Sequence, residues 1–172
     1  MPSNTTVVAA TSDEYFATHD VVAERGGQPV DLAFIDGMHH FEYALRDFIN
    51  IERICTTRSI VLLHDCYPLN RRTAERGRTV AFSSGDVWRL MLILKKYRPD
   101  LAVNTIATPP TGLAVVHGLD PASSVLTRRI EDIVAEFMAV DYDLIETDKP
   151  GMLNRFPNDP EKISELVRQV AC

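Results

Sequence analysis

"DLAFIDGMHH", Asp31 to His40, sends a run of apolar residues straight into an aspartate, a glycine and two histidines. "SIVLLHDCYP", Ser59 to Pro68, repeats the arrangement. An apolar run that does not alternate is the pattern of a strand covered on both faces. Both runs end in groups that bind metal ions and move protons. If the two strands are parallel neighbours, they lie about 4.8 Å apart. Asp36 and Asp65 then converge at the carboxyl edge of one sheet, where open α/β sheets bind ligands.

Working outward, "TTVVAA", Thr5 to Ala10, is β-branched and apolar and reads as a further strand. Thr11 or Ser12 caps the helix that follows, which ends before "RGGQP", Arg25 to Pro29. From about His40 to Ile54, Phe41, Ala44, Leu45, Phe48 and Ile51 recur at helical spacing, with Glu42 and Arg46 as an i,i+4 pair. Asp65 to Ser84 is a long polar loop of the kind that forms lids. "SGDVWRLMLILKKYRPD" reads as the next helix, capped by Ser84 or Asp86 and with Pro99 after its end. Leu101–Ala107 and Thr111–His117, joined by "TPPT", read as an antiparallel strand pair. Ser123–Val140 and Pro160–Val170 read as helices, with loop between them. The order predicts one α/β domain, a mostly parallel sheet with a C-terminal antiparallel strand pair and helices on both faces.

The chain has 172 residues, 45% hydrophobic and 24% charged, with net charge -6. That balance argues against nucleic acid as the main partner, because phosphate binding needs clustered Lys and Arg. The arginine-rich "NRRTAERGR", Asn70 to Arg78, is either a solvated loop or an electropositive rim for an anionic ligand. Cys55, Cys66 and Cys172 form no disulfide framework, which points to a reducing cytoplasm. No run reaches the ~18 apolar residues of a membrane span, and the N-terminus lacks the pattern of a secretory signal.

Two carboxylates at one strand edge suit Mg²⁺ or a similar divalent ion, which could hold substrate oxygens. His39, at the start of the following helix, is placed to take a hydroxyl proton as general base. Asp36-Gly37 also fits a simple turn. His64 reads equally as a further ligand and as a satisfied core histidine. His40 reads as a helix-start residue, and His19, His117 and Trp88 as structural.

"DLAFIDGMHHFEYALRDF", "SIVLLHDCYP" and "GDVWRLMLILKKYRPDLAVNTIATPPTGLAVV" together resemble the C-terminal half of a class I S-adenosylmethionine-dependent methyltransferase. The resemblance is greatest to the metal-dependent O-methyltransferases of sugars and other small hydroxyl compounds. It covers about residues 5–120, with residues 121–172 as a C-terminal helical extension of one truncated domain. The resemblance implies an incomplete Rossmann-like methyltransferase sheet. It implies methyl transfer from S-adenosylmethionine to a small hydroxyl substrate, with His39 as base and Asp36, Asp65 and His64 as metal ligands. Ser12 and Asp36 would bind the cofactor. His64 stands where related members carry an acidic ligand, and Cys66 where catechol-type relatives carry an amide. The family's glycine-rich turn and its ribose-binding acid have no counterpart: Gly26 and Gly27 precede a strand instead of following one. The expectation is therefore weak cofactor binding by a monomer, and a homo-oligomer that covers exposed strand edges. The alternative function is a non-catalytic domain that acts through oligomerisation or partner binding.

Overall fold

In the computed structural model, which describes residues 5–77 and 80–171, β1 (Val30–Ile35) and β2 (Cys55–His64) are parallel neighbours. β4 (Leu113–His117) lies against the other side of β2 and runs antiparallel to it. β3 (Ala102–Ile106) and then the two-residue β5 (Arg155–Phe156) complete the order β1-β2-β4-β3-β5. The sheet is thus mixed and not mostly parallel: β1–β2 and β3–β5 are parallel, β2–β4 and β3–β4 antiparallel. The expected antiparallel β3–β4 pair is present, and it enters the sheet beside β2 through β4.

Thr5–Ala10 is not a strand. It is exposed and without secondary structure, because a β-branched sequence gains ladder hydrogen bonds only where a neighbouring strand exists. α1 (Ser12–Thr18) follows it through a capping box. The Thr11 hydroxyl accepts from the Glu14 N–H at 3.2 Å, and Glu14 accepts from the Thr11 N–H at 3.0 Å. The helix breaks at His19, and Asp20 caps a separate turn, α2 (Val21–Glu24).

α3 (Phe41–Glu52) buries Phe41, Ala44, Leu45, Phe48 and Ile49, as the helical spacing requires. Together with α4 (Trp88–Tyr97) it covers the face of the sheet that carries Ala33, Ile35, Val61, Leu63, Ala114 and Val116. The segment read as one helix from Ser123 is two, α5 (Val125–Arg128) and α6 (Ile130–Met138). The segment after them, read as loop, holds short turns α7 (Asp143–Glu146) and α8 (Lys149–Met152) as well as β5. On the opposite face, α9 (Pro160–Ala171) places Ile163 and Leu166 against Ile60, Leu62, Ile106 and Val115. On β1, Leu32 and Phe34 stay more than half exposed.

Far from the carboxyl edge of β1 and β2, the ends of α3 and α4 are joined by a buried ion pair. Arg98 donates to both oxygens of Glu52 at 2.8 and 2.7 Å and also to Asp100. Burial opposes the charge on Arg98, but the carboxylates of Asp100 and Glu52 outweigh it and hold its pKa above the ordinary arginine value. Without Glu52, Arg98 keeps Asp100, but its buried Nη1 loses both of its bonds. Glu52→Ala is therefore expected to lose about 1–3 kcal/mol, read as a lower urea midpoint at an unchanged m-value.

Candidate active site

The register Ile35↔Leu63 puts Asp36 and His64 side by side as β1 and β2 leave the sheet. Asp65 then adopts φ +61°, and His39 φ +59°. Left-handed backbone is uncommon outside glycine, and Asp and His tolerate it better than most. The turn at Asp65 brings its carboxylate back beside Asp36. Asp65 Oδ2 lies 2.7 Å from His39 Nε2 and 3.2 Å from His64 Nδ1. Asp36 Oδ1 lies 3.6 Å from His39 Nε2 and 3.5 Å from His64 Nδ1. These approaches are short but out of line for hydrogen bonding: Asp65 Oδ2 and His64 Nδ1 are both buried and lack a hydrogen-bond partner. One ligand atom each from Asp36, His64 and Asp65 falls within 4.8 Å of the others, a spacing that could hold a cation.

His39 is held by the segment Ser83–Asp86, at the junction of the long polar loop and the next helix. Its Nδ1 is 2.7 Å from the Ser83 carbonyl oxygen. A carbonyl only accepts, so Nδ1 carries a proton on that side, and Nε2 faces the carboxylates. The Asp86 N–H donates to the His39 carbonyl at 3.1 Å. Gly85, at φ +56°, lies so close that a Cβ there would sit 1.9 Å from that same oxygen. Asp86 does not cap its own helix. Its Oδ1 accepts from the Phe41 N–H at 3.0 Å, capping α3, which has no side-chain cap of its own. Arg76 and Arg89 each donate to Asp86 Oδ2 at 2.7 Å, so the buried charge is matched. Within the long loop, the 3₁₀ turn Arg71–Ala74 is tied to the segment that holds His39, where Ser84 donates to the Thr73 carbonyl.

Beside the cluster opens a cleft of about 520 Å³, lined by Ser12, Asp13, Phe16, Phe34, Asp36, Gly37, Met38, Tyr43, Asp47 and Ile51, among others. Its volume and mixed apolar and polar lining are those of a small-molecule site. Asp36, Gly37 and Met38 border the cleft and the cluster alike. Asp47 is a functional candidate that the sequence reading missed. Burial, the dominant cause, raises its pKa; Ser12 and Arg46 oppose this and Asp13 adds to it. Its Oδ1 is buried without a hydrogen bond. No periodicity marks it, since it sits on a helix as one polar residue among several.

Of the residues singled out earlier, Asp36, His39, His64 and Asp65 lie together, and Ser12 and Asp36 line one cleft. His40 opens α3, and its Nε2 reaches only the Arg76 carbonyl at 3.3 Å. Trp88 is buried in the core. The Glu42–Arg46 pair is replaced by tertiary partners: Arg46 binds Asp13 and Glu42 binds Arg76. Nor do Arg71 and Arg76 form an open electropositive rim. Arg71 is matched by Asp141, Asp143 and Glu146, and Arg76 by Glu42 and Asp86. Cys55 and Cys66 are free, buried thiols, with Cys55 pushed up to about 11 by burial. Arg78 and Cys172 lie outside the described residues. Among the described residues, no helix is long and apolar enough to cross a membrane.

Residues 1–66 match the family model of a methyltransferase domain. The match supports a methyltransferase family. It contains Ser12, Asp36, His39, His64 and Asp65, whereas the Ser83–Asp86 segment that holds His39 lies beyond it. Neither the curated proteins nor the solved structures give a match.

Two substitutions test this geometry. Gly85→Ala forces a methyl group against the His39 carbonyl, so the His39 ring resonances in a two-dimensional NMR spectrum should move while those of His117, on β4, stay. Asp47 has a higher pKa folded than unfolded, so its ionised form weakens the fold above the folded pKa. That penalty disappears below the unfolded value, near 3.8. Asp47→Asn should therefore raise the melting temperature at pH 7, with the gain vanishing as pH falls through the carboxylate range.

Proposed function

We propose that this chain is an S-adenosylmethionine-dependent O-methyltransferase of small hydroxyl compounds. The observation that carries the reading is adjacency. A small-molecule cleft and an acid–base cluster share the Asp36–Met38 turn, within a segment that matches a methyltransferase domain.

The cleft is suited to the adenosine end of the cofactor. Phe16, Phe34 and Ile51 offer apolar walls, and Ser12, Asp36 and Asp47 offer partners for amine and hydroxyl donors. Gly26 and Gly27, both at positive φ, join α2 to β1 and open no helix, so they supply no glycine-turn contacts. When bound, S-adenosylmethionine supplies an electrophilic methyl group on a positively charged sulfur. A divalent cation held by Asp36, His64 and Asp65 would fix an acceptor oxygen and make its hydroxyl more acidic.

His39 performs the proton transfer. The acceptor O–H bond breaks and its proton passes to Nε2; with the cofactor bound, the oxygen's electron pair would form the bond to the methyl carbon as the carbon–sulfur bond broke and its pair returned to sulfur, leaving a neutral thioether. Ser83 keeps the other nitrogen protonated throughout, so the ring cannot present the wrong tautomer. Asp65, 2.7 Å from Nε2, stabilises the imidazolium that results. A positioned general base contributes about 10²–10⁴-fold.

Calorimetric titration with S-adenosylmethionine tests the reading directly. One-to-one binding is expected, and Asp36→Asn should weaken it roughly tenfold or more, the loss of a charge-assisted hydrogen bond. His39→Ala should leave cofactor affinity intact and lower turnover of an accepted hydroxyl substrate by about 10²–10⁴-fold. Absence of heat at millimolar cofactor would overturn the enzyme reading and leave the non-catalytic one.

A further inference from the structure

Asp65 is 2% exposed, yet its Oδ2 has no hydrogen-bond partner. His64 Nδ1, 3.2 Å away, is likewise buried and unbonded. A carboxylate and an imidazole at that distance ordinarily rotate into a hydrogen bond. Here they do not, and one ligand atom each from Asp36, His64 and Asp65 lies within 4.8 Å of the others. The backbone at Asp65 takes a left-handed conformation to put its carboxylate there. His39 Nε2 faces the same Asp65 oxygen at 2.7 Å.

We infer that this pocket selects a first-row transition metal, of the Mn²⁺ to Zn²⁺ class, over Mg²⁺. The inference rests on the proposal above that the pocket holds a divalent ion, and it names which kind. Mg²⁺ is a hard ion that prefers oxygen donors and keeps most of its waters. Imidazole nitrogen is a borderline donor that favours the later divalent ions. A site with only carboxylates would not discriminate in this way. This one places a nitrogen of His64 among the donor atoms. Two carboxylates match the charge of a divalent cation, and Asp36, more than a third exposed, leaves a side open for water or an acceptor oxygen.

The test uses the whole chain after EDTA treatment and gel filtration, titrated with Co²⁺ and followed by its visible absorption. One equivalent should bind. Zn²⁺ should displace it stoichiometrically, whereas Mg²⁺ should fail to do so at about hundredfold excess, given the donor preference. His64→Ala, checked for folding by circular dichroism, should lower Zn²⁺ affinity by roughly tenfold or more while leaving Mg²⁺ binding unchanged. Displacement of Co²⁺ by equimolar Mg²⁺, or identical Zn²⁺ affinity in His64→Ala, overturns the inference. So does an absence of Co²⁺ binding in a protein that still binds S-adenosylmethionine, and that result leaves the methyltransferase reading standing. Metal binding without cofactor binding has the opposite consequence: the inference holds and the methyltransferase reading falls.

Discussion

The site depends on the parallel pairing of β1 with β2 in one register. Ile35 opposite Leu63 sets Asp36 beside His64 and leaves Asp65 one residue beyond. A slip by one residue would turn every side chain of β1 to the other face, moving Ala33 and Ile35 out of the core and Asp36 away from the histidines. The register is held by burial: Ile35 and Leu63 lie in the same apolar cluster under α3. At the other end, the Ser59 hydroxyl donates to the Val30 carbonyl, where the pairing is irregular. The chemistry at the sheet's edge thus has its position fixed by aliphatic packing several residues away.

Several unfavourable features gather around the cluster and cleft. They are the left-handed backbone at His39 and Asp65, the unbonded buried atoms of Asp47, His64 and Asp65, and the Asp47 carboxyl, whose ionisation burial opposes. Each costs free energy of order 1–3 kcal/mol, which persists because neighbouring structure over-determines the geometry. Asp86 is central to that support. It caps α3, accepts from Arg76 and Arg89, and its N–H holds the His39 carbonyl. The Arg98–Glu52–Asp100 group secures the far ends of the same two helices.

How much of this was legible in the sequence varied with the range of the forces involved. β1 and α3 were readable because an apolar run and a helical spacing are local signals: the run that opens "DLAFIDGMHH" is β1, Val30–Ile35. Thr5–Ala10 has the composition of a strand but no neighbour to pair with, and composition cannot report a missing neighbour. β5 is two residues long, formed by its position beside β3 and not by its propensity. Asp86 was read as the cap of its own helix, and its real partner is 45 residues away. The four clustered side chains were each legible as candidates, since strand ends in α/β folds gather functional groups. Their convergence follows from the turn at Asp65, which no residue pattern announced.

The antiparallel β4, the main departure from a parallel sheet, explains why that turn is stable. A parallel neighbour would leave β2's next connection free at the carboxyl edge, because its own chain would exit there too. β4 enters at this edge instead, with Leu113 paired to His64. The residues just before it, Thr111 and Gly112, are therefore on hand where β2 ends. The Tyr67 N–H donates to the Thr111 carbonyl at 2.8 Å, and Gly112, at φ +81°, comes so near that a Cβ would sit 2.3 Å from that of Tyr67. The chain is captured two residues after Asp65, before it can relax into an extended exit. The strand direction that breaks the expected topology is the one that holds the Asp65 carboxylate turned toward the histidines.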